Sequence, residues 1–171
     1  MFHMTTKWVV FAFAIIIIDL AIKYWINENY EAGQWSGILN NFLIIGNIKT
    51  LKLSYGWGNS INTNYILSKI LEGLMFLFFI RVWLIKNINQ LYKVSTLFII
   101  LGLLGNYIHM FLFSDGNKQY IQMDYLNIRT LSSSFFNLSS LLTYSGFVLL
   151  IIAIIKKPGG LKLVFSRKKY S

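Results

Sequence analysis

Four apolar stretches constrain the fold of this chain more than any other feature of its sequence. They lie at residues 8–26, 65–85, 94–113 and 137–156. An apolar run of about 20 residues is long enough to cross a bilayer as a helix. Charged residues make up only 13% of the 171 residues, whereas soluble domains carry about 25%. We therefore predict a single all-α membrane domain over residues 1–171, with four transmembrane helices.

Residues 38–60 differ from the apolar runs because their apolar and polar residues partly alternate. The sequence ILNNFLIIGNIKTLKLSY at 38–55 contains several β-branched residues, a pattern typical of short strands. Trp35 and Trp57 suit the interface between membrane and water. We predict a small β-rich segment that lies on the outer, periplasmic surface of the membrane.

The distribution of basic residues predicts the orientation of the chain. If the four apolar runs cross the membrane, one side carries most of the basic residues: Lys7, Arg81, Lys86, Lys93 and those of the C-terminal tail. Such a side faces the cytoplasm in most membrane proteins, so both termini are expected there. The net charge of +10 is explained by anionic membrane lipid at this surface, and we expect no nucleic-acid partner.

Several polar residues interrupt the apolar runs, and each needs a partner because burial of polar groups in hydrocarbon is costly. Asp19 and Lys23 are four apart, and Asn106 and His109 are three apart, so each pair shares one helix face. In the predicted orientation these residues lie in the outer halves of their helices. Asn137, Ser139 and Ser140 begin the fourth run, and Asp124 lies in the outer loop before it. The sequence therefore predicts one polar pocket at the outer leaflet.

The order of these motifs resembles the lipoprotein signal peptidases, or signal peptidase II. The family's D-x-x-x-K is matched by Asp19 and Lys23, and its G-G-x-x-G-N-x-x-D-R partly by GLLGNYIHM at 102–110. Its V-V-D-F resembles QMDY at 122–125, and its F-N-x-A-D resembles FNLSS at 136–140.

The resemblance implies a multi-pass protein of the bacterial cytoplasmic (inner) membrane. Its members are four-helix aspartic proteases that cleave diacylglyceryl-modified prolipoproteins. It also implies membrane lipid and a lipidated prolipoprotein, or a partner membrane protein, as partners. It implies no cofactor, and a chain with two His and no Cys offers little for a metal site.

The resemblance also assigns roles to individual positions. Asp124 stands at the first catalytic aspartate, and Ser140 stands where the second would be. His109 and Met110 replace an Asp–Arg pair, and Lys52 replaces an asparagine of the surface strand. The positions implied to bind substrate are Asp19, Lys23, Lys52, Asn106, His109 and Asn137.

Ser140 leaves three functional hypotheses, because an aspartic protease needs two nearby carboxyls that share one proton. The leading hypothesis is a member without protease activity that binds a lipidated peptide, a lipid or a membrane partner. The alternative is an active peptidase in which Asp124 is the base and either Asp115 or a network of held water is the acid. A third hypothesis is a hydrolase that uses Ser140, His109 and Asp124 as a nucleophilic triad.

Overall fold

Long helices make up most of the chain in the computed structural model, which describes residues 2–38, 42–51, 61–112, 121–128, 135–160 and 164. Over these residues the helices are α1 (Phe2–Asn29), α2 (Ile61–Leu84), α3 (Gln90–Leu112) and α4 (Leu138–Lys156). Each of the four predicted apolar runs thus falls largely within one helix. Lys52 and Asp115, which the sequence analysis singled out, lie outside the described residues.

Three helices of the described chain are long and apolar enough to span a membrane. These segments are Thr6–Asn29, Gln90–His109 and Leu138–Lys156, with mean hydropathies of 2.3, 1.5 and 2.3. The predicted helix at 65–85 forms as α2 but is not among them. The protein is therefore mostly helical with three candidate membrane spans, and a fourth crossing stays a prediction.

Helix α3 packs against each of the other three helices, and most extensively against α4. Small residues permit this close approach: a side chain at Gly102 would meet the backbone of Ser139 at 2.6 Å and of Thr143 at 2.7 Å. An apolar cluster on α1, α3 and α4, including Ala12 and Phe98, fills the space beside this contact. Close backbone approach through small residues is the usual means of helix association in membranes.

An antiparallel sheet of three strands accompanies the helices in the described residues. Strands β1 (Trp35–Ile38) and β3 (Ile121–Ile128) flank β2 (Leu43–Leu51), and a bulge interrupts β2 between Ile45 and Ile48. The first two strands fall in and beside the segment predicted to be β-rich. The third strand was not predicted, because its polar sequence suggested an outer loop. Its pairing with β2, for example of Asp124 with Ile48, joins segments that are far apart in the chain.

Strand β3 brings Asp124 and Tyr125 to the helices. Asp124 pairs with Ile48 across the sheet, just beyond the bulge. Tyr125 is 2% exposed and packs with Ile26 near the end of α1. A second, isolated bridge joins Leu126 to Phe136, immediately before α4. The sheet thereby fixes both residues against the start of α4.

We predict that Gly102→Ala destabilises the protein, because the added methyl group would collide with the backbone of α4. Overpacking of this kind costs about 1–3 kcal/mol. The thermal midpoint in detergent micelles, followed by tryptophan fluorescence, should fall. Gly73→Ala in α2 is the matched control, since a Cβ added at Gly73 meets no atom of the described residues within 4 Å. An equal loss in both variants would contradict the proposed α3–α4 contact.

Candidate functional site

Asp19 makes several polar contacts at the end of the bundle where α4 begins. Its side chain is fully buried. Its Oδ1 accepts hydrogen bonds from the Tyr125 hydroxyl and the Leu138 backbone N–H, each at 2.9 Å. Its Oδ2 accepts one from the Ser139 hydroxyl at 2.6 Å and lies 2.6 Å from the Lys23 ammonium. One carboxylate therefore joins α1, β3 and α4.

Lys23 extends this network to the third helix. Its ammonium group, also fully buried, donates to Oδ1 of Asn106 at 3.3 Å. The amide nitrogen of Asn106 in turn donates to the Ser140 hydroxyl over a long 3.4 Å. The chain of contacts from Asp19 through Lys23 and Asn106 thus ends at the position where the sequence predicts a second catalytic group.

Asn137 connects the start of α4 to Asp124. Its side-chain oxygen accepts a hydrogen bond from the Ser140 backbone N–H at 2.7 Å and so caps the helix. Its amide nitrogen donates to Oδ1 of Asp124 at 2.8 Å. Because both amide atoms are used, Asn137 fixes Asp124 relative to Ser140.

The start of α4 also shapes the electrostatics of the site. The N-terminus of a helix carries a partial positive charge and unsatisfied N–H groups, and both favour nearby anions. Asp19 accepts directly from the Leu138 N–H, and Asp124 is held by the capping residue Asn137. Asp19 is thus bonded to the start of α4 directly, and Asp124 through the side chain of the capping residue.

Tyr125 is held as a neutral donor at this site. Burial raises the pKa of its hydroxyl above the usual value of 10.0, and the nearby Asp19 carboxylate raises it further. A hydrogen bond with Leu138 acts in the opposite direction but is a smaller effect. The phenol consequently stays protonated at ordinary pH and donates a hydrogen bond to Asp19.

The structure brings together most of the residues that the sequence predicted for the site. Hydrogen bonds or the ion pair link each of six predicted residues to at least one other: Asp19, Lys23, Asn106, Asn137, Asp124 and Ser140. His109 is buried in α3 at 5% exposure. Lys52 cannot be placed because it lies outside the described residues. The roles of these residues are still predictions.

The sequence analysis placed Ser139 in the polar pocket without a partner and gave Tyr125 no site role, although both bond directly to Asp19. Tyr125 follows Asp124 in a strand, so its side chain points to the opposite face. Ser139 lies four residues before Thr143 on the face of α4 that meets α3, whose glycines leave room for it. The signal that could have found them is that a buried carboxylate needs several donors, whereas the sequence paired Asp19 with Lys23 alone.

The arrangement limits the chemistry that the site can perform. In the described residues the only buried carboxylates are Asp19 and Asp124, and both oxygens of Asp19 already accept hydrogen bonds. No group of three or more His, Cys, Asp or Glu in that part of the chain could hold a metal ion. Within the described residues the site therefore contains two carboxylates, of which Asp19 is enclosed by donors, together with hydroxyl and amide groups.

Comparisons with known proteins identify a family and a shared fold. The family described as signal peptidase (SPase) II matches residues 11–156. Two solved structures, each described as a bacterial membrane enzyme determined by the in meso method, are similar in fold. One has 22% identity and a TM-score of 0.66 over 89% of this chain and 94% of its own. The other has 20% identity and a TM-score of 0.70 over 97% and 95%. No curated protein matches the chain.

We predict that Asp19→Asn destabilises the protein by about 3–5 kcal/mol, because it removes the counter-ion of a buried ammonium group. The free energy of unfolding in detergent and denaturant measures the loss. The double variant Asp19→Asn/Lys23→Met removes both charges and should be more stable than Asp19→Asn alone. If the double variant were the less stable of the two, the ion pair would not explain the cost.

We also predict an alkaline loss of stability that depends on Tyr125. The pKa of its hydroxyl is raised in the folded state, so Tyr125 ionises first in the unfolded chain. Its contribution to the free energy of unfolding is therefore complete below about pH 10 and falls as the pH rises further. The thermal midpoint from about pH 8 to about pH 11 should fall less steeply in Tyr125→Phe. Tyr30→Phe is the control, because the Tyr30 hydroxyl contacts only the Ser36 hydroxyl, at 2.7 Å. Unchanged slopes in Tyr125→Phe would contradict the prediction.

Proposed function

The chain belongs to the signal peptidase II family, and we propose that it binds a lipidated peptide at the outer leaflet without cleaving it. Its site would hold a diacylglyceryl-modified prolipoprotein, the class of ligand on which the family acts. The proposal gives Asp124, Ser140, Asn106, Asn137 and His109 a binding role. It includes a location in the bacterial inner membrane with both termini in the cytoplasm.

The observation that carries this proposal is the Ser140 hydroxyl at the end of the polar network. It accepts a hydrogen bond from Asn106 at 3.4 Å, where the resemblance expects a carboxylate. A serine hydroxyl neither ionises at neutral pH nor shares a proton with Asp124 as a second carboxyl would. Loss of one positioned acid–base group removes on the order of 10²–10⁴ in rate.

Asp19 is a poor replacement for the missing carboxyl. Its oxygens accept from Tyr125, Ser139 and the Leu138 N–H, and Lys23 balances its charge. Recruitment of Asp19 to catalysis would require these buried bonds to break, and each buried donor left unsatisfied costs about 1–3 kcal/mol. This supports a structural role for Asp19 rather than a catalytic one.

The polar groups of the site suit a peptide that is already in the membrane. Acyl chains gain little from leaving lipid for an apolar protein surface, since lipid tails are equally apolar. A peptide backbone at membrane depth does gain, because its N–H and C=O groups need partners there. The half-buried amide of Asn106 and the hydroxyl of Ser140 are groups of the required kind.

The test is cleavage and binding of a diacylglyceryl-modified prolipoprotein by the purified protein. We expect the wild-type chain to bind the labelled lipopeptide and to release no signal peptide. Ser140→Asp should restore the pair of carboxyls and raise turnover by on the order of 10²–10⁴ over the wild type. Ser140→Asn is the matched control, because it has the shape of Asp without the charge and should stay inactive. Adding Asp124→Asn to Ser140→Asp should abolish the gained turnover.

Other outcomes favour the competing functions. Wild-type turnover that is lost in Asp124→Asn would establish an active aspartic peptidase. Turnover lost in both Ser140→Ala and His109→Ala would instead indicate the nucleophilic triad. Failure of the wild type to bind the lipopeptide would disprove the binding role, and no gain in Ser140→Asp would disprove the assignment of position 140.

A further inference from the structure

We infer that the end of the bundle opposite the candidate site binds the headgroups of acidic phospholipids. This basic end consists of five residues where α2 ends, α3 begins and α4 ends: Arg81, Lys86, Lys93, Lys156 and Lys157. The inference does not rest on the proposed function, because it concerns residues that the candidate site does not use.

The basic end has no acidic residue to balance it. The six acidic residues of the sequence are at positions 19, 28, 31, 72, 115 and 124, and none lies in the segments that form this end. Four of its basic side chains are exposed, and Lys93 is half-buried. Lys93 also lies in the first turns of α3, where the helix dipole disfavours a cation. Repulsion among these charges is relieved when an anion binds.

The fold holds these basic residues together rather than leaving them on separate helices. An apolar cluster of Val82, Ile85, Ile88, Tyr92, Ala153 and Val164 joins the three helix ends. The Lys93 ammonium donates to the Lys86 carbonyl at 3.4 Å, and the Tyr92 hydroxyl donates to the Lys157 carbonyl at 3.0 Å. The spacing of the charges is therefore set by buried contacts.

The segment after α4 contributes to this arrangement. Gly160 packs so closely on the Tyr92 ring that a side chain there would collide with it. Val164 is 7% exposed and belongs to the same cluster. These contacts hold the end of α4, and with it Lys157, against the start of α3.

Exposed apolar residues beside the lysines favour a lipid over a soluble anion. Leu84 is 62% exposed next to Lys86, and Ile155 is 74% exposed next to Lys156. Such neighbours fit a ligand that carries a negative headgroup and acyl chains, with the lysine stems lying along the apolar part. A free phosphate or a nucleic acid has no acyl chains that could contact Leu84 and Ile155.

The experiment is thermal unfolding of the full chain in mixed detergent micelles during titration with phosphatidylglycerol. A ligand that binds only the folded state raises the thermal midpoint. We compare the wild type with Lys156→Gln/Lys157→Gln, and with Lys156→Arg/Lys157→Arg as the charge-preserving control. The Gln variant should need on the order of tenfold more phosphatidylglycerol for half-maximal stabilisation. The Arg variant should match the wild type, and added salt should weaken the effect.

Three results would overturn the inference. Equal stabilisation by phosphatidylcholine with the same acyl chains would show that the headgroup charge is irrelevant. An undiminished response in the Gln variant would place the lipid elsewhere. The same stabilisation by inorganic phosphate alone would indicate a site for a free anion rather than for a lipid.

Discussion

The ion pair and hydrogen bonds of the buried Asp19 carboxylate are the interactions on which the candidate site depends. A charge removed from water is tolerated only when it is paired and its oxygens are hydrogen-bonded. Lys23 provides the pair, and donors from β3 and α4 satisfy the oxygens. Because those donors come from separate parts of the chain, the requirements of one side chain fix where the strand and the helix lie.

The two buried carboxylates differ in what holds them. Asp19 is enclosed by donors, whereas Asp124 is fixed by Asn137, which also caps the helix that carries Ser140. The proposed function depends on the residue at position 140, because a serine hydroxyl shares no proton with Asp124 as a second carboxyl would.

The two ends of the bundle have different chemistry. The end where α4 begins contains the two buried carboxylates and the Asp19–Lys23 pair, and the basic end carries cations with no acid in its segments. The apolar contacts between α3 and its neighbours lie between them. The lipidated peptide and the acidic lipid that we propose as ligands would therefore bind at separate ends of the chain.

The sequence by itself determined the helical membrane architecture, because apolar runs of bilayer length allow few alternatives. It also predicted the pairing of Asp19 with Lys23, which depends only on the helical repeat. Tertiary structure alone decided that residues 121–128 form a strand, since its pairing with β2 joins distant segments and local alternation does not reveal it. It also decided that Tyr125, Ser139 and the Leu138 N–H are the donors to Asp19. Hydrogen bonds between remote residues depend on how the elements pack, and the order of residues in a single chain does not encode that packing in any local pattern.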